Sequence, residues 1–187
     1  KKVFPQVVGR VQMTREGYAF VIVEGEEDDV FVKASKTRGA LHGDTVRVSV
    51  TREKMDRQRR EGEIVEIIQR SPKPFIGILH IVANQAWVLM QSRFMPYDIT
   101  IPFTESDRSR YRRHKVSSPV AEQKDETGYL KPVSDDMYAV HGLYELGEDG
   151  YGRKELQVRS GMKVAAVVDD WPGGDMSPRG HIVDVLG

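Results

Sequence analysis

Residues 16–32 read EGYAFVIVEGEEDDVFV. Two short apolar runs, 18–23 and 30–32, flank an acidic turn. Side chains alternate between the two faces of a strand, so Tyr18, Phe20 and Ile22 share one face and Ala19, Val21 and Val23 the other. On the second run Phe31 and Lys33 point one way and Val30, Val32 and Ala34 the opposite way. A half-buried strand ordinarily sets an apolar face against a polar one. Here the aliphatic set can line a core by itself, yet the other face still carries three rings. The fold and the function both turn on where those rings go.

Working outward, the same order of segments occurs twice. VVGRVQM, YAFVIV, DDVFV, HGDTVRVSV and EGEIVEII in the first half correspond to PFIGILHI, QAWVLM, YDITIP, SGMKVAAVV and RGHIVDVL in the second. Gly9 and Gly77 are 68 positions apart, Phe20 and Trp87 are 67 apart, and Val30 and Ile99 are 69 apart. Gly43 and Gly161 are 118 apart, as are Gly62 and Gly180. The second copy therefore carries an insertion of about 49 residues, near 104–157, between its third and fourth strands. Each copy supplies five short strands rich in β-branched and aromatic residues, with Gly, Asp, Asn or Pro turns between them. Closure into a small barrel removes the exposed edges of such a sheet. The expectation is an all-β protein with two five-stranded OB-fold barrels in tandem, residues 1–70 and 71–187. The boundary falls at RSPKPF, 70–75, where two prolines stiffen the connection.

In an OB-fold, strands 2 and 3 commonly form the face that binds oligonucleotides. Val21, Val23, Val30 and Val32 would then fill the interior. Tyr18, Phe20 and Phe31 would form an outer stacking platform with Lys33 beside it. Stacking a base on such a ring contributes ~1–3 kcal/mol whatever the base. The same pattern also fits rings that cover a second packed layer or the neighbouring unit.

Composition narrows the classes. Of 187 residues, 28 are basic and 28 acidic, so net charge favours no partner and any nucleic-acid affinity must come from local patches. There is no cysteine, which removes disulfides and thiolate zinc sites and fits a reducing, cytoplasmic compartment. No run approaches the ~18 apolar residues of a membrane span, and no charged-then-apolar signal-peptide pattern is visible in the first residues given. Its first residue is Lys1 rather than Met, so a piece of a longer protein is expected.

EGYAFVIV resembles the first ribonucleoprotein motif of cold-shock domains, and DDVFVKAS the second. With HGDTVRVSV and the ending DDWP…SPRGHIVDVLG, the tandem resembles the two N-terminal cold-shock domains of ribonuclease R, a bacterial 3′-to-5′ exoribonuclease of the ribonuclease II family. The resemblance covers 7–103 and 158–187; residues 104–157 do not match. It implies an RNA-binding module that grips single-stranded or structured RNA and guides it to a downstream catalytic domain. That absent domain would use clustered aspartates and magnesium; this chain holds no cofactor. Tyr18, Phe20 and Phe31 match the family's stacking rings, and Lys33 stands where cold-shock proteins usually have His. Met13 stands where they often have Trp. In the second copy Gln85, Trp87, Thr100 and Pro102 fill the matching places, leaving Trp87 as the one ring, either exposed or buried.

Two basic segments are candidates for phosphate contact. TREKMDRQRREG, 51–62, joins strands 4 and 5 of the first copy and includes Arg57, Arg59 and Arg60. RSRYRRHK, 108–115, includes Arg110, Arg112 and Arg113. Either also fits a solvated charge run. Residues 116–130 read as loop or disorder, and 138–158 as a hairpin turning at GEDGYG. Five scattered His residues offer no metal-ligand spacing. Asp28–Asp29, Asp135–Asp136 and Asp169–Asp170 read as turn residues. No Walker sequence, Ser elbow or HExxH occurs. No hydrolysis is expected from this chain by itself, although the parent would be an exoribonuclease. The alternatives are a non-enzymatic RNA chaperone or translation factor built from tandem OB domains, and a module whose ring face binds a polypeptide.

Overall fold

The computed structural model describes residues 3–103, 127–147, 150–171 and 177–187. In the first copy, β1 (Gln6–Met13), β2 (Ala19–Ile22), β3 (Val30–Val32), β4 (Thr45–Arg52) and β5 (Glu61–Gln69) close into a barrel in the order β1-β2-β3-β5-β4. The second barrel uses β6 (Phe75–Val82), β7 (Gln85–Met90), β8 (Ile99–Ile101), β12 (Lys163–Asp170) and β13 (Arg179–Val185) in the matching order. In both, the third and fifth strands run parallel and every other pair antiparallel. One compact unit comprises Lys1–Lys73 with Ser92–Pro96, and the other comprises Pro74–Gln91 with Tyr97–Gly187.

The interiors correspond side chain by side chain. Val11, Val21, Val30, Val32, Val46, Val48 and Ile64 are buried in the first barrel. Leu79, Val88, Ile99, Ile101, Val164, Ala166 and Ile182 are buried at the same places in the second. The repeated glycines have two separate causes. A Cβ on Gly9 would lie 2.6 Å from both the Ile22 carbonyl oxygen and a Val21 methyl, and one on Gly77 would meet Leu89 and Val88 in the same way. Gly43 and Gly161 instead have φ of 88° and 97°, a left-handed conformation that other residues adopt only with strain. Each donates its N–H to the first strand, Gly43 to the Val11 carbonyl at 2.9 Å and Gly161 to the Leu79 carbonyl at 2.7 Å. The two glycines thus hold the same topological position.

The hairpin expected over 138–158 is present, as β10 (Tyr138–Leu146) and β11 (Arg153–Val158). It forms a separate three-stranded sheet with β9 (Leu130–Pro132), outside the second barrel's ring of strands. Here the reading of 116–130 as loop or disorder needs correction at its described end. Tyr129 and Leu130 are buried, and the Leu130 N–H bonds the Pro102 carbonyl at 3.0 Å. The Ile182 N–H in turn bonds the Gly128 carbonyl at 3.1 Å, which ties this segment to β13. Glu155 joins all three strands, accepting from Lys131 Nζ at 2.8 Å and the Gly142 N–H at 3.1 Å. Asp169 and Asp170 also differ from expectation, ending strand β12 rather than forming a turn. Asp169 meets His181 Nδ1 at 2.9 Å.

Gly9→Ala should lower unfolding stability by about 1–3 kcal/mol, because a methyl there has no space without backbone movement. Urea denaturation checks this; an unchanged midpoint would contradict the steric account of the repeated glycines.

Candidate nucleic-acid interface

The turn between β1 and β2 sets the first ring. Thr14 receives the chain back, its N–H and Oγ1 donating to the Tyr18 carbonyl at 2.9 and 2.8 Å. Beyond it the pairing registers form one row across four strands: Gln12, Phe20, Phe31, Glu61. Ala19, Val21, Val30 and Val32 are buried between these positions, so the row faces outward. Tyr18, Phe20 and Phe31 are each half-buried and mutually adjacent, with ring centroids 5.5–5.9 Å apart in tilted or edge contacts. Such contacts contribute about 0.5–1.5 kcal/mol each beyond burial, so the rings support one another without an added layer.

The predicted cations fall into distinct places. Arg59 sits over the rings, its guanidinium carbon 4.8 Å from the Phe31 centroid and 5.7 Å from that of Phe20. Arg57 is exposed at the tip of a tight turn closed by Met55 and Gln58. Arg60 is turned inward with its side chain 11% exposed. It donates from Nη1 to Glu26 at 3.0 Å and to the Asp28 carbonyl at 3.3 Å. Its buried Nε has Glu53 at 3.8 Å, beyond hydrogen-bond reach. Arg60 therefore braces the β4–β5 loop against the β2–β3 turn. Lys33 is 60% exposed and 3.7 Å from Glu61, which also pairs with Arg52 at 3.3 Å. Arg110, Arg112 and Arg113 lie outside the described residues.

Met13 does not reach this face. It is buried and paired with Ala19, and the outward β1 position beside Phe20 is Gln12. In the second barrel the corresponding row is His80, Trp87, Thr100, Arg179. Trp87 is half-buried on the outer face with the exposed ring of His80 at 5.5 Å. His80 was passed over among scattered histidines; the signal for it was that Leu79 faces inward, which turns residue 80 outward. Lys54, also missed, meets Asp28 at 2.9 Å.

A family model described as the ribonuclease B OB domain matches residues 9–67. Ribonuclease R of Escherichia coli (strain K12) is 31% identical over 97 residues, covering 51% of this chain and 12% of that protein. Ribonuclease R of Acidithiobacillus ferrooxidans is 28% identical over 182 residues, covering 97% and 30% respectively. This is a ribonuclease R-like OB region. The fold agrees with two solved structures at a TM-score of 0.54 over 97% of the chain: apo Mycoplasma genitalium RNase R, at 12% identity and 21% of that chain, and yeast Ssd1, described as a pseudonuclease, at 17% and 23%. The OB region thus spans between 12% and 30% of the length of each of these proteins.

One titrating group of the OB region lies close to the row. His42 Nδ1 accepts the Met13 N–H at 3.2 Å, which requires a neutral ring. Burial, reinforced by the charges of Arg10 and Lys73 and opposed by Asp44, holds its pKa below the usual 6.5. A folded value below the unfolded one means that the stability from this group is complete above 6.5 and is lost as pH falls from there through the folded value. The stability gap between wild type and His42→Asn should therefore narrow between about pH 8 and about pH 5.5, measured by urea unfolding. A constant gap would contradict the neutral-ring assignment.

Proposed function

We propose that this OB region is the RNA-binding module of a ribonuclease R-like 3′-to-5′ exoribonuclease. It holds RNA on the outer face of β2 and β3 and guides the strand to a catalytic domain elsewhere in the same protein. The observation that carries this reading is the cluster of Tyr18, Phe20 and Phe31, three rings turned out of a filled barrel with a guanidinium above them. Flat faces that stack bases, beside cations that track the backbone, suit single strands of any sequence. Phe20 and Phe31 are the stacking surfaces. Lys33, Arg57 and Arg59 are the backbone contacts, and Trp87 with His80 offers a smaller second surface.

The second reading is a non-catalytic RNA-binding protein. It is favoured by the equal structural likeness to a protein described as a pseudonuclease. Degradation of labelled RNA by the full-length protein separates the two, since both need the ring face.

Phe20→Ala and Phe31→Ala should each weaken binding of a single-stranded oligoribonucleotide by about 1–3 kcal/mol while the barrel stays folded. Changing Arg57 and Arg59 together to Gln should flatten the salt dependence of binding, as lost phosphate contacts do. Fluorescence anisotropy with far-UV circular dichroism as the folding control measures both. Unchanged affinity in folded Phe variants would reject the ring face.

A further inference from the structure

The β2–β3 turn, EGEEDD over 24–29, is dense in carboxylates, an odd neighbour for a surface that grips a polyanion. Its geometry gives a reason. Arg60 fixes the turn from beneath through Glu26 and the Asp28 carbonyl. That places the Asp28 carboxylate on Lys54 Nζ at 2.9 Å. Both partners are about half exposed, at 47% and 55%, so the pair opens to solvent without disturbing the buried Arg60. Lys54 lies in the same β4–β5 loop as Arg59, which covers the Phe31 and Phe20 rings. A strand stacked on those rings brings phosphodiester oxygens to this loop.

We propose that Lys54 is a phosphate subsite of the ring face and that the Asp28 carboxylate fills it in the free protein. The inference rests on the ring face binding RNA and adds to that reading a site and its competitor. A carboxylate and a phosphodiester present the same kind of anionic acceptor to an ammonium group. An exposed ion pair contributes little stability, so the exchange is easy. The turn thereby screens Lys54 from weak anions and yields it to a strand already held by stacking. Glu27, in the same turn and with no ion pair among the described residues, supplies the control for simple removal of negative charge.

The test is a double-mutant cycle on oligouridylate binding, read by anisotropy across a salt series. Asp28→Asn should bind about two- to fivefold tighter than Glu27→Gln, the range expected for releasing an exposed pair. Its salt slope should be steeper by up to about 0.7, one more phosphate neutralised on a single strand. Lys54→Gln should cost more in the Asp28→Asn background than in wild type, because only there is the ammonium free beforehand. Asp28→Glu, which keeps the pair, should bind like wild type. Equal affinities for Asp28→Asn and Glu27→Gln, or a Lys54→Gln effect independent of background, would overturn the subsite. Either result with wild-type binding still lost in Phe20→Ala would leave the ring face standing. Failure of every variant and of wild type to bind would overturn both.

Discussion

Closing five short strands into a barrel leaves room inside for one small set of side chains, and that limit places everything else. Val, Ile, Leu and Ala, with Met13 in the first barrel, fill the interiors, and glycine stands where one strand runs against its neighbour's backbone. Phe20 and Phe31 are not part of that set. Strand alternation sends them outward as soon as Val21, Val30 and Val32 turn in. The outer aromatic cluster is thus a direct consequence of the packing that forms the barrel. It is also the feature of the molecule best suited to stacking a flat ligand.

Charge works at shorter range. The chain is neutral overall, with 28 charges of each sign, so no broad field draws a polyanion to it. Contrast arises between adjacent loops instead. The acidic β2–β3 turn and the basic β4–β5 loop neutralise one another through Lys54–Asp28 and Arg60–Glu26, while Arg59 lies over the Phe31 and Phe20 rings. In the second barrel the corresponding loops meet through the rings of Tyr97 and Trp171, centroids 4.4 Å apart. Burial holds the Tyr97 hydroxyl above its ordinary pKa. The first barrel's loop contact is therefore open to competition by salt and by phosphate.

The repeat was legible because its glycines answer to position-specific demands, left-handed backbone at Gly43 and Gly161 and close strand approach at Gly9 and Gly77, which composition alone would not preserve. The outward rings were legible for a related reason, since a period of two assigns faces without knowledge of partners. Other features depend on contacts distant in sequence. Arg57, Arg59 and Arg60 look alike in the chain, and only the folded loop sends one to the tip, one over the rings and one inward. Met13 stands where cold-shock domains often have an outward Trp, whereas its pairing with Ala19 turns it into the core. Strand β9 is three residues long and ends in proline, too short to show any period. Strand alternation from Leu79 turns His80 outward, but its place beside Trp87 follows only from the β6–β7 register.

The central claim is that bases stack on the rings of β2 and β3. NMR of protein labelled at phenylalanine, titrated with oligouridylate, reports on it directly. The account predicts upfield shifts of the Phe20 and Phe31 ring protons and intermolecular Overhauser contacts from those rings to base protons. Shifts confined to other segments, with Phe20 and Phe31 unmoved at saturation, would contradict it.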